Sequence, residues 1–309
     1  MYLVNNNNVN DPGINLALEE YCLHHLQDGR DYLLLYINAP AVIVGRNQNP
    51  MAETNYAYLQ KKSIRLVRRI SGGGAVYHDL GNLNLSLISA HDRARFHNYE
   101  KLTEPVITTL QQAGIPAALK NNNIVVDGRK VSGAAQFTNM HAMISHATLL
   151  WDAELDVLGR ALQSNIEVTA SRAVKSVRSN VANACEFLSR PMELALFRKN
   201  LLKSCSETYG GLREYRLSGQ AWDQVYALAA NKYGSWEWNF AKTPDFTARH
   251  QIKYGSEIRI LRLKVKRGMV AEIETVREGS IEAAIRSQVD RFIGKPYNRL
   301  AAELCLSLS

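Results

Sequence analysis

RRISGGGAVYHDLGN, residues 68–82, places two adjacent arginines directly before a run of three glycines. Glycine has no Cβ and readily adopts positive φ, so such a run lets main-chain N–H groups approach an anion closely. Arg68 and Arg69 add positive charge at the edge of the segment. A glycine run by itself is more often a flexible loop or a tight turn. The glycines and arginines together suit an anionic ligand, and the glycine run taken by itself leaves the loop or turn as the more frequent structure.

A second informative segment, DGRKVSGAAQ, occupies residues 127–136. Asp-Gly between two strand-like runs predicts a two-residue hairpin turn, which pairs Val126 with Arg129 and Val125 with Lys130. Because side chains alternate along a strand, the hairpin has two distinct faces. The more polar face carries Asn123, Val125, Lys130 and Ser132. The other face carries Ile124, Val126, Arg129 and Val131. On local sequence alone, Lys130 is an ordinary exposed strand lysine.

These two segments, in this order, resemble the motifs of the lipoate–protein ligase A family, within the larger group of biotin and lipoate protein ligases. Weaker similarities extend over nearly the whole chain, at residues 15–20, 44–49, 146–150, 176–180 and 235–240. The resemblance implies an α/β fold, in which a mixed-sheet catalytic domain of the biotin/lipoate ligase type is followed by a small α/β accessory domain.

The resemblance also implies a reaction. An ATP-dependent ligase would activate lipoate to lipoyl-AMP, with Mg²⁺ as cofactor, and would then transfer the lipoyl group to a lysine of a carrier protein. The implied carriers are the lipoyl domains of 2-oxoacid dehydrogenase complexes and the H protein of glycine cleavage. Lys130 would contact the lipoate carboxyl group and the α-phosphate, and would stabilise charge in both steps. It would act as an electrostatic clamp and not as a nucleophile.

Individual ligand contacts are implied by match to the family motifs. The residues expected to hold ATP are Arg69, Gly74, Ala75, Val76, Tyr77 and Lys130. The residues expected to hold lipoate are Val44, Arg46, Gly73 and Lys130. Relatives commonly have an aspartate at the position of Asn123, so this residue either weakens a contact to Mg²⁺ or preserves only a hydrogen bond. Ala147 replaces a frequent glycine, which is a milder change.

Three polar residues invite an acid–base interpretation that the sequence does not favour. His78 and Asp79 are adjacent and would face opposite sides of a strand, so they cannot simply form a dyad. A histidine in a hydrogen-bonded turn is the favoured role. His146 lies where the family also has a histidine. No general base can be named from the sequence.

Two other functions stay open. The first is an octanoyl or lipoyl transferase on the same scaffold, which would use a preactivated donor. A thioester route needs a cysteine in the pocket, and the absence of cysteine between Cys22 and Cys185 argues against it. Transfer from a preformed adenylate is compatible with the sequence. The second is a non-catalytic protein that binds a ligand or nucleic acid, motivated by Asn123 and by the formal net charge of +8.

Composition narrows these choices. No apolar run approaches the ~20 residues that a membrane-spanning helix needs, so no membrane partner is expected. Four widely separated cysteines without metal-ligand spacing favour reduced thiols in the cytoplasm. The densest basic cluster, residues 264–267, has the pattern of a solvated strand edge. We therefore expect a cytoplasmic enzyme without a nucleic-acid partner.

Hydrophobic periodicity predicts alternating helices and strands on a mixed sheet. We expect helices over residues 11–26 and 99–113, a hairpin of strands 32–37 and 41–45, and a half-buried strand over 83–87. A boundary near residue 246 would separate a catalytic domain, residues 1–246, from an accessory domain, residues 247–309. The latter would contain strands 258–265 and 269–276 and helices 281–292 and 298–305. Because so short a module has a marginal core, it should dock on the first domain.

Overall fold

The computed structural model describes residues 1–93, 96–254, 257–275 and 289–300. Its α-helices are α1 (Pro12–His25), α2 (Pro50–Glu53), α3 (Tyr56–Lys61), α4 (Glu100–Gln112), α5 (Leu155–Ala161), α6 (Leu194–Thr208) and α7 (Gly219–Leu228). Its strands are β1 (Tyr2–Val4), β2 (Tyr32–Ile37), β3 (Ala41–Val44), β4 (Arg65–Arg68), β5 (Val76–His78), β6 (Asn82–Ala90), β7 (Ala118–Lys120), β8 (Asn123–Val126), β9 (Arg129–Thr138), β10 (Ala142–Leu150), β11 (Glu167–Ser171), β12 (Arg213–Tyr215), β13 (Phe246–Tyr254), β14 (Glu257–Lys266) and β15 (Met269–Thr275). Two π-helical turns, Ala229–Tyr233 and Glu237–Ala241, follow α7, and 3₁₀ turns lie at Ala184–Phe187 and Asp290–Phe292.

The strands form three sheets. The largest has the order β12-β1-β2-β6-β10-β9-β8-β7, and the smallest has the order β4-β3-β5. Strand β1 runs parallel to β12 and β2, whereas β6 is antiparallel to both β2 and β10. The third sheet has the order β11-β13-β14-β15. The predicted mixed α/β class is therefore confirmed.

The third sheet bears on the division of the chain. Strand β13 begins at Phe246, where the sequence places the domain boundary, and it pairs with β11 from residues 167–171. We propose that the boundary lies near residue 246 and that the preceding domain contributes β11 to the second. Both predicted strands of this region are present as β14 and β15, joined by Arg267 and Gly268 at positive φ. The predicted helices 281–292 and 298–305 lie mostly outside the described residues.

Helices cover both faces of the largest sheet. On one face, leucines of β2 and β6 pack against Val106 of α4 and Phe197 of α6. On the other face, Leu34 of β2 packs with Leu18 of α1 and Val225 of α7. A strand between two helical layers is buried on both sides. Helices α1 and α4 occupy the ranges that periodicity predicts, and no helix of the described residues is long and apolar enough to span a bilayer.

The predicted hairpin of residues 32–45 is wrong. Strands β2 and β3 belong to different sheets. The connecting residues make long-range bonds instead of a tight turn: the Ala39 N–H donates to the Asn10 carbonyl at 2.7 Å, and the Pro40 carbonyl accepts from the Arg65 N–H at 3.2 Å. These hydrogen bonds to residues distant in the sequence hold the connection in place as the chain passes from the largest sheet to the smallest.

Strand β6 is buried along both faces, so its predicted half-exposure is also wrong. The alternation is real, because Leu83, Leu85 and Leu87 all enter one core cluster. The intervening polar side chains face a second buried layer, where the Ser86 hydroxyl donates to the Glu19 carboxylate. A buried polar face produces the same sequence pattern as a solvated one.

The hairpin at Asp127 and Gly128 is confirmed, with Val126 opposite Arg129 and Val125 opposite Lys130. Both turn residues have positive φ, as a two-residue hairpin turn requires. The register then shifts by one residue, so that Ser132 lies opposite Ile124. The sequence gives no sign of this bulge, which bends the strand at the residues that carry the polar face.

Candidate functional site

Two cavities lie side by side where the largest and smallest sheets meet. The first cavity measures about 540 Å³, and its wall includes Leu16, Tyr36 and Ile43 together with Arg69 and Lys130. The second cavity measures about 490 Å³, and its wall includes Tyr77, Leu150, Leu158, Ile166 and Lys130. The cavities share part of their wall, so Lys130 faces both.

Lys130 is held by its main chain from two directions. It pairs with Val125 in the hairpin, and it also bridges to Val181, with its N–H donating to the Asn180 carbonyl at 2.8 Å. Burial, with a smaller contribution from the charge on Arg69, lowers the pKa of Lys130. Within the described part of the chain, its ammonium group has no hydrogen-bond or ion-pair partner. A largely buried cation without a counter-ion favours an anionic ligand.

Gly133 gives the Lys130 side chain its space. A Cβ at position 133 would lie 2.8 Å from Lys130 Nζ and 2.9 Å from Cε. Asn123 Oδ1 would be 3.5 Å from the same Cβ, so the asparagine and the lysine lie close together. The sequence prediction that Asn123 and Lys130 share a polar face is therefore confirmed, and both line the first cavity.

Arg69 holds in place the glycine-rich loop that contains Gly72, Gly73 and Gly74. Its guanidinium group donates to the Ile43, Gly72 and Gly74 carbonyls at 3.1, 2.6 and 2.8 Å. It also donates to the Ser71 hydroxyl at 3.0 Å. Burial lowers the pKa of Arg69 to about 10, so it remains charged at neutral pH. Arg69 thus fixes the loop carbonyls and contributes positive charge to the first cavity.

Arg68 holds the neighbouring turn. This guanidinium is buried and donates to the carbonyls of Gly45, Arg46 and Gln48 at 2.8–3.0 Å. Its other nitrogens donate to the carbonyls of Trp238 and Asn239 and to the Thr243 hydroxyl. The residues that precede β13 are therefore tied to the turn beside the glycine-rich loop.

Residues 172–181 form an irregular segment, called the strap below, between the two cavities. The Ser176 hydroxyl accepts hydrogen bonds from the Ala75 N–H at 2.9 Å and from Gln48 Nε2 at 3.0 Å. A hydroxyl has two lone pairs and one hydrogen, so the hydrogen remains available to a further partner. Gly74 lets the strap approach, since a Cβ there would lie 3.0 Å from Ser176 Oγ. Ser176 is a site residue that the sequence prediction missed.

A buried polar chain beneath the first cavity was also missed. His146 Nε2 lies 2.7 Å from the Ser71 hydroxyl, and His146 Nδ1 lies 3.2 Å from Glu19 Oε2. Burial raises the pKa of Glu19, but His146 and the hydroxyls of Ser86 and Tyr36 together bring it below its ordinary value. These hydrogen bonds link α1 to the glycine-rich loop. The one sequence feature that could have indicated them is Glu19, a carboxylate at a core-facing position of an otherwise apolar helix face.

His78 and Asp79 do not form a dyad, as predicted. Asp79 accepts hydrogen bonds from the N–H groups of Gly81 at 2.9 Å and Glu154 at 2.8 Å. His78 Nδ1 lies 3.0 Å from Asn38 Nδ2. Because Asn38 Oδ1 already accepts from Asn15, the Asn38 amide nitrogen donates to His78, and the His78 ring proton resides on Nε2.

The burial of His78 predicts a pH-dependent stability. Burial, with smaller effects from Arg69 and His146, lowers the pKa of His78 to about 3. As pH falls below the ordinary value of 6.5, the unfolded chain binds a proton at this residue and the folded chain does not. The free energy of unfolding should therefore fall by up to about 1.4 kcal/mol per pH unit from this group alone.

Urea unfolding between pH 7 and pH 5 tests this expectation. The His78→Gln protein should lose less stability over this interval than the unchanged protein does. His250→Gln is the matched comparison, because burial also lowers the pKa of His250, to about 4. Parallel pH profiles for the unchanged and His78→Gln proteins would contradict a neutral, buried His78.

The predicted ligand contacts are only partly brought together. Gly73, Gly74 and Arg69 line the first cavity, Tyr77 lines the second, and Ala75, Val76 and Lys130 line both. Val44 packs in a separate apolar cluster, and Arg46 lies over the Phe137 ring at 5.7 Å. Neither of these two residues lines the first or the second cavity, and on β3 the inward-facing position belongs to Ile43 instead of Val44.

The cavity walls fit a divalent cation only in part. Within the described residues, no three His, Cys, Asp or Glu side chains converge as a metal site. Asn123 offers an amide oxygen to the first cavity, and Glu53 lines the second but accepts from the Ser176 N–H. Mg²⁺ is commonly bound by substrate phosphates and water with few protein ligands. The residues therefore suit an ion that binds together with a polyphosphate.

The sequence of this chain is similar to those of known proteins. A model of the lipoyl protein ligase A/B catalytic domain matches residues 11–206, which include both motifs, Lys130 and the strap. The lipoate–protein ligase LplJ of Bacillus subtilis is 41% identical over 302 residues, covering 97% of this chain and 91% of the relative. The chain belongs to the lipoyl protein ligase A/B family.

Solved structures agree with this membership. A crystal structure of lipoate–protein ligase A bound with ATP has a TM-score of 0.64 and 29% identity, covering 74% of this chain and 94% of that chain. The bipartite lipoate protein ligase of Thermoplasma acidophilum, studied with its E2 lipoyl domain, has a TM-score of 0.66 and 26% identity, covering 77% and 95%. The predicted family and its ligase-type fold are thus confirmed.

Proposed function

We propose that this member of the ligase family activates lipoate with ATP to lipoyl-AMP and transfers the lipoyl group to a lysine of a carrier domain. The observation that carries the proposal is the Lys130 ammonium, which faces both cavities without a counter-ion among the described residues. Two anions that must react with each other need a shared cation between them. Lys130 has the position and the charge for this role.

The walls of the two cavities divide the substrates. We place the lipoyl tail in the first cavity, because Leu16, Ile43 and Ala147 provide apolar contacts there. The nucleotide lies in the second cavity, between Tyr77 and Leu158, where its phosphates reach the shared wall. The lipoate carboxylate and the α-phosphate then meet beside Lys130. Holding two reactants in contact can by itself supply a large share of a rate enhancement.

The first step joins a lipoate carboxylate oxygen to the α-phosphorus, and pyrophosphate leaves. Lys130 stabilises the charge on the α-phosphate, and the Ser176 hydroxyl has a hydrogen available for the same group. Mg²⁺, bound with ATP and contacted by Asn123, would neutralise the phosphate oxygens. In the second step the acceptor lysine nitrogen attacks the acyl carbon, loses a proton to solvent, and AMP leaves.

The carriers are proposed from the family and from the named partner of one relative. Lipoyl domains of 2-oxoacid dehydrogenase complexes and the H protein of glycine cleavage present an acceptor lysine of the required kind. The E2 lipoyl domain of the Thermoplasma acidophilum system supports this choice. We place the reaction in the cytoplasm, because four widely spaced cysteines suit a reducing compartment.

A thiol route is disfavoured by the positions of the cysteines. Cys22 and Cys205 are buried in apolar clusters, and burial raises the pKa of the Cys185 thiol to about 11. None of these three described cysteines lines either cavity.

Substituting all four cysteines by serine or alanine should therefore preserve specific activity in the fraction that folds. Isolation of an acyl-cysteine intermediate by mass spectrometry would overturn this expectation.

The proposed function is tested by weighing the carrier. The pure protein is incubated with lipoate, ATP, Mg²⁺ and an unmodified E2 lipoyl domain, and the intact mass of the domain is measured. One lipoyl group should be added when all components are present and none when ATP is omitted. Modification without ATP, from a supplied lipoyl-adenylate only, would identify a transferase. No modification in either case would identify a non-catalytic relative.

A further inference from the structure

The strap carries exposed positive charge that no other described residue neutralises. Arg172, Lys175 and Arg178 are exposed, and within the described residues their side chains have no hydrogen-bond or ion-pair partner. Some other surface cations are paired, such as Arg129 with Glu186 at 2.9 Å. No aspartate or glutamate occurs between residues 167 and 186. The positive charge is therefore a local property of the strap.

An apolar side chain lies between these cations. Val177 is 90% exposed, although a valine is normally among the most buried residues. An exposed apolar residue surrounded by charges of one sign has the composition of a protein contact more than of a solvated loop. The surface suits a partner with carboxylates around an apolar contact.

The strap is also held in place. The Val174 N–H donates to the Asn47 carbonyl at 3.0 Å, and the Ser176 hydroxyl is bonded to Ala75 and Gln48. At its far end, the strap pairs with the main chain of Lys130. A surface that is already ordered loses little conformational entropy when a partner binds.

The position of the strap relates it to the second step of the reaction. Lys175, Ser176 and Val177 line both cavities, so the strap forms an exposed wall beside Lys130. A carrier lysine that reaches an acyl group at Lys130 brings the rest of its domain against this wall. Charges at the rim of such a contact mainly affect the rate of association and its dependence on salt.

Building on the proposed function, we propose that the strap is the docking surface for the carrier domain. The carrier presents carboxylates beside its acceptor lysine to Arg172, Lys175 and Arg178, and an apolar side chain to Val177. The lysine then enters the cavity between the strap and the glycine-rich loop. The segment that recognises the carrier thus also forms a wall of the reaction site.

The decisive variant is Arg172→Glu, because Arg172 belongs to the strap and lines neither cavity. Its control is Lys199→Glu, which makes the same change of charge at an exposed position of α6. The probes are an E2 lipoyl domain and a form of it whose carboxylates next to the acceptor lysine are changed to amides. Transfer is measured from supplied lipoyl-adenylate at low and high salt, and lipoyl-adenylate formation is measured without carrier.

We expect Arg172→Glu to lower kcat/KM for the carrier about tenfold at low salt, mainly through KM, and less at high salt. The loss should disappear with the amide form of the carrier, and adenylate formation should be unchanged. Lys199→Glu should behave like the unchanged protein. Equal behaviour of the two variants, persistence of the loss with the amide carrier, or a matching loss of adenylate formation would each overturn the proposal.

Failure of the proposed function would give a different result. In that case the unchanged protein would form no adenylate and transfer no acyl group. Binding of the E2 lipoyl domain, followed by fluorescence anisotropy, would still test the strap without catalysis. Weaker binding by Arg172→Glu than by Lys199→Glu would support the docking surface, and equal binding would contradict it.

Discussion

Lys130→Ala is expected to lower the rate of lipoyl-adenylate formation by ~10²–10³, which is the usual cost of removing one transition-state contact to developing negative charge. The protein should still fold, because Lys130 is held by main-chain bonds to Val125 and the strap, which alanine retains. Its ammonium group has no partner within the described residues, so its removal breaks no hydrogen bond there. Single-turnover formation of lipoyl-AMP, followed by chromatography, measures the effect.

Two further variants make the test specific. Lys130→Met keeps the length of the side chain without its charge, and should equal or exceed the unchanged protein in the free energy of unfolding, because an unpaired buried cation is costly. Lys120→Ala removes an exposed lysine on β7, which is separated from the Lys130 strand β9 by β8; Lys120 lines neither cavity, so this variant should retain activity. Near-normal adenylate formation by folded Lys130→Ala would disprove the role of Lys130 as an electrostatic clamp.

Gly133→Ala is expected to lower kcat/KM for adenylate formation by about 10², since a displacement of about 1 Å in a reacting group can cost that much. The new methyl group would occupy the space of Lys130 Nζ and Cε. A flexible lysine end can move aside, so the free energy of unfolding should change little. Gly133→Ala should therefore lose activity without losing stability. Urea unfolding measures its free energy of unfolding.

Gly219→Ala is the matched control for this variant. A Cβ on Gly219, in the first turn of α7, would have nothing within 4 Å. This substitution should leave both activity and stability close to those of the unchanged protein. If Gly133→Ala were also fully active, the Lys130 amine would not need its present position. A large loss of stability in Gly133→Ala would show that the residue is structural.

Local features of the fold could be predicted from the sequence. The turn at Asp127 and Gly128 needs positive φ at two successive residues, and those residue types tolerate it. Helix α1 begins after Asp11, whose side chain accepts from the N–H groups of Gly13 and Ile14. In both cases the residues that decide the structure are neighbours in the chain.

Features that depend on distant partners could not be predicted. The strap lies between the cavities because Ser176 bonds to Gln48 and Ala75, which are about a hundred residues away or more. The Glu19 carboxylate on α1 makes a hydrogen bond with His146 on β10, which is distant in the sequence. Alternation marks β6 as a strand but cannot say that its polar side faces a buried layer. Such contacts arise from the assembly of the sheets and leave little trace in local sequence.

The sequence also could not predict which residues of β3 face the cavities. Family motifs indicate Gly73 and Val44 equally as lipoate contacts, yet only Gly73 lines a cavity. Side chains of consecutive strand residues point to opposite faces, so a one-residue difference in β3 decides between Ile43 and Val44. The sequence of β3 is apolar throughout and contains no signal for its orientation.

Exchange of labelled pyrophosphate into ATP tests the central claim most directly, because it reports adenylate formation without any carrier. The unchanged protein should incorporate label into ATP only when lipoate is present, and the Lys120→Ala control should do the same. Folded Lys130→Ala should show almost no exchange. Absence of lipoate-dependent exchange by the folded, unchanged protein, or undiminished exchange by Lys130→Ala, would contradict the account.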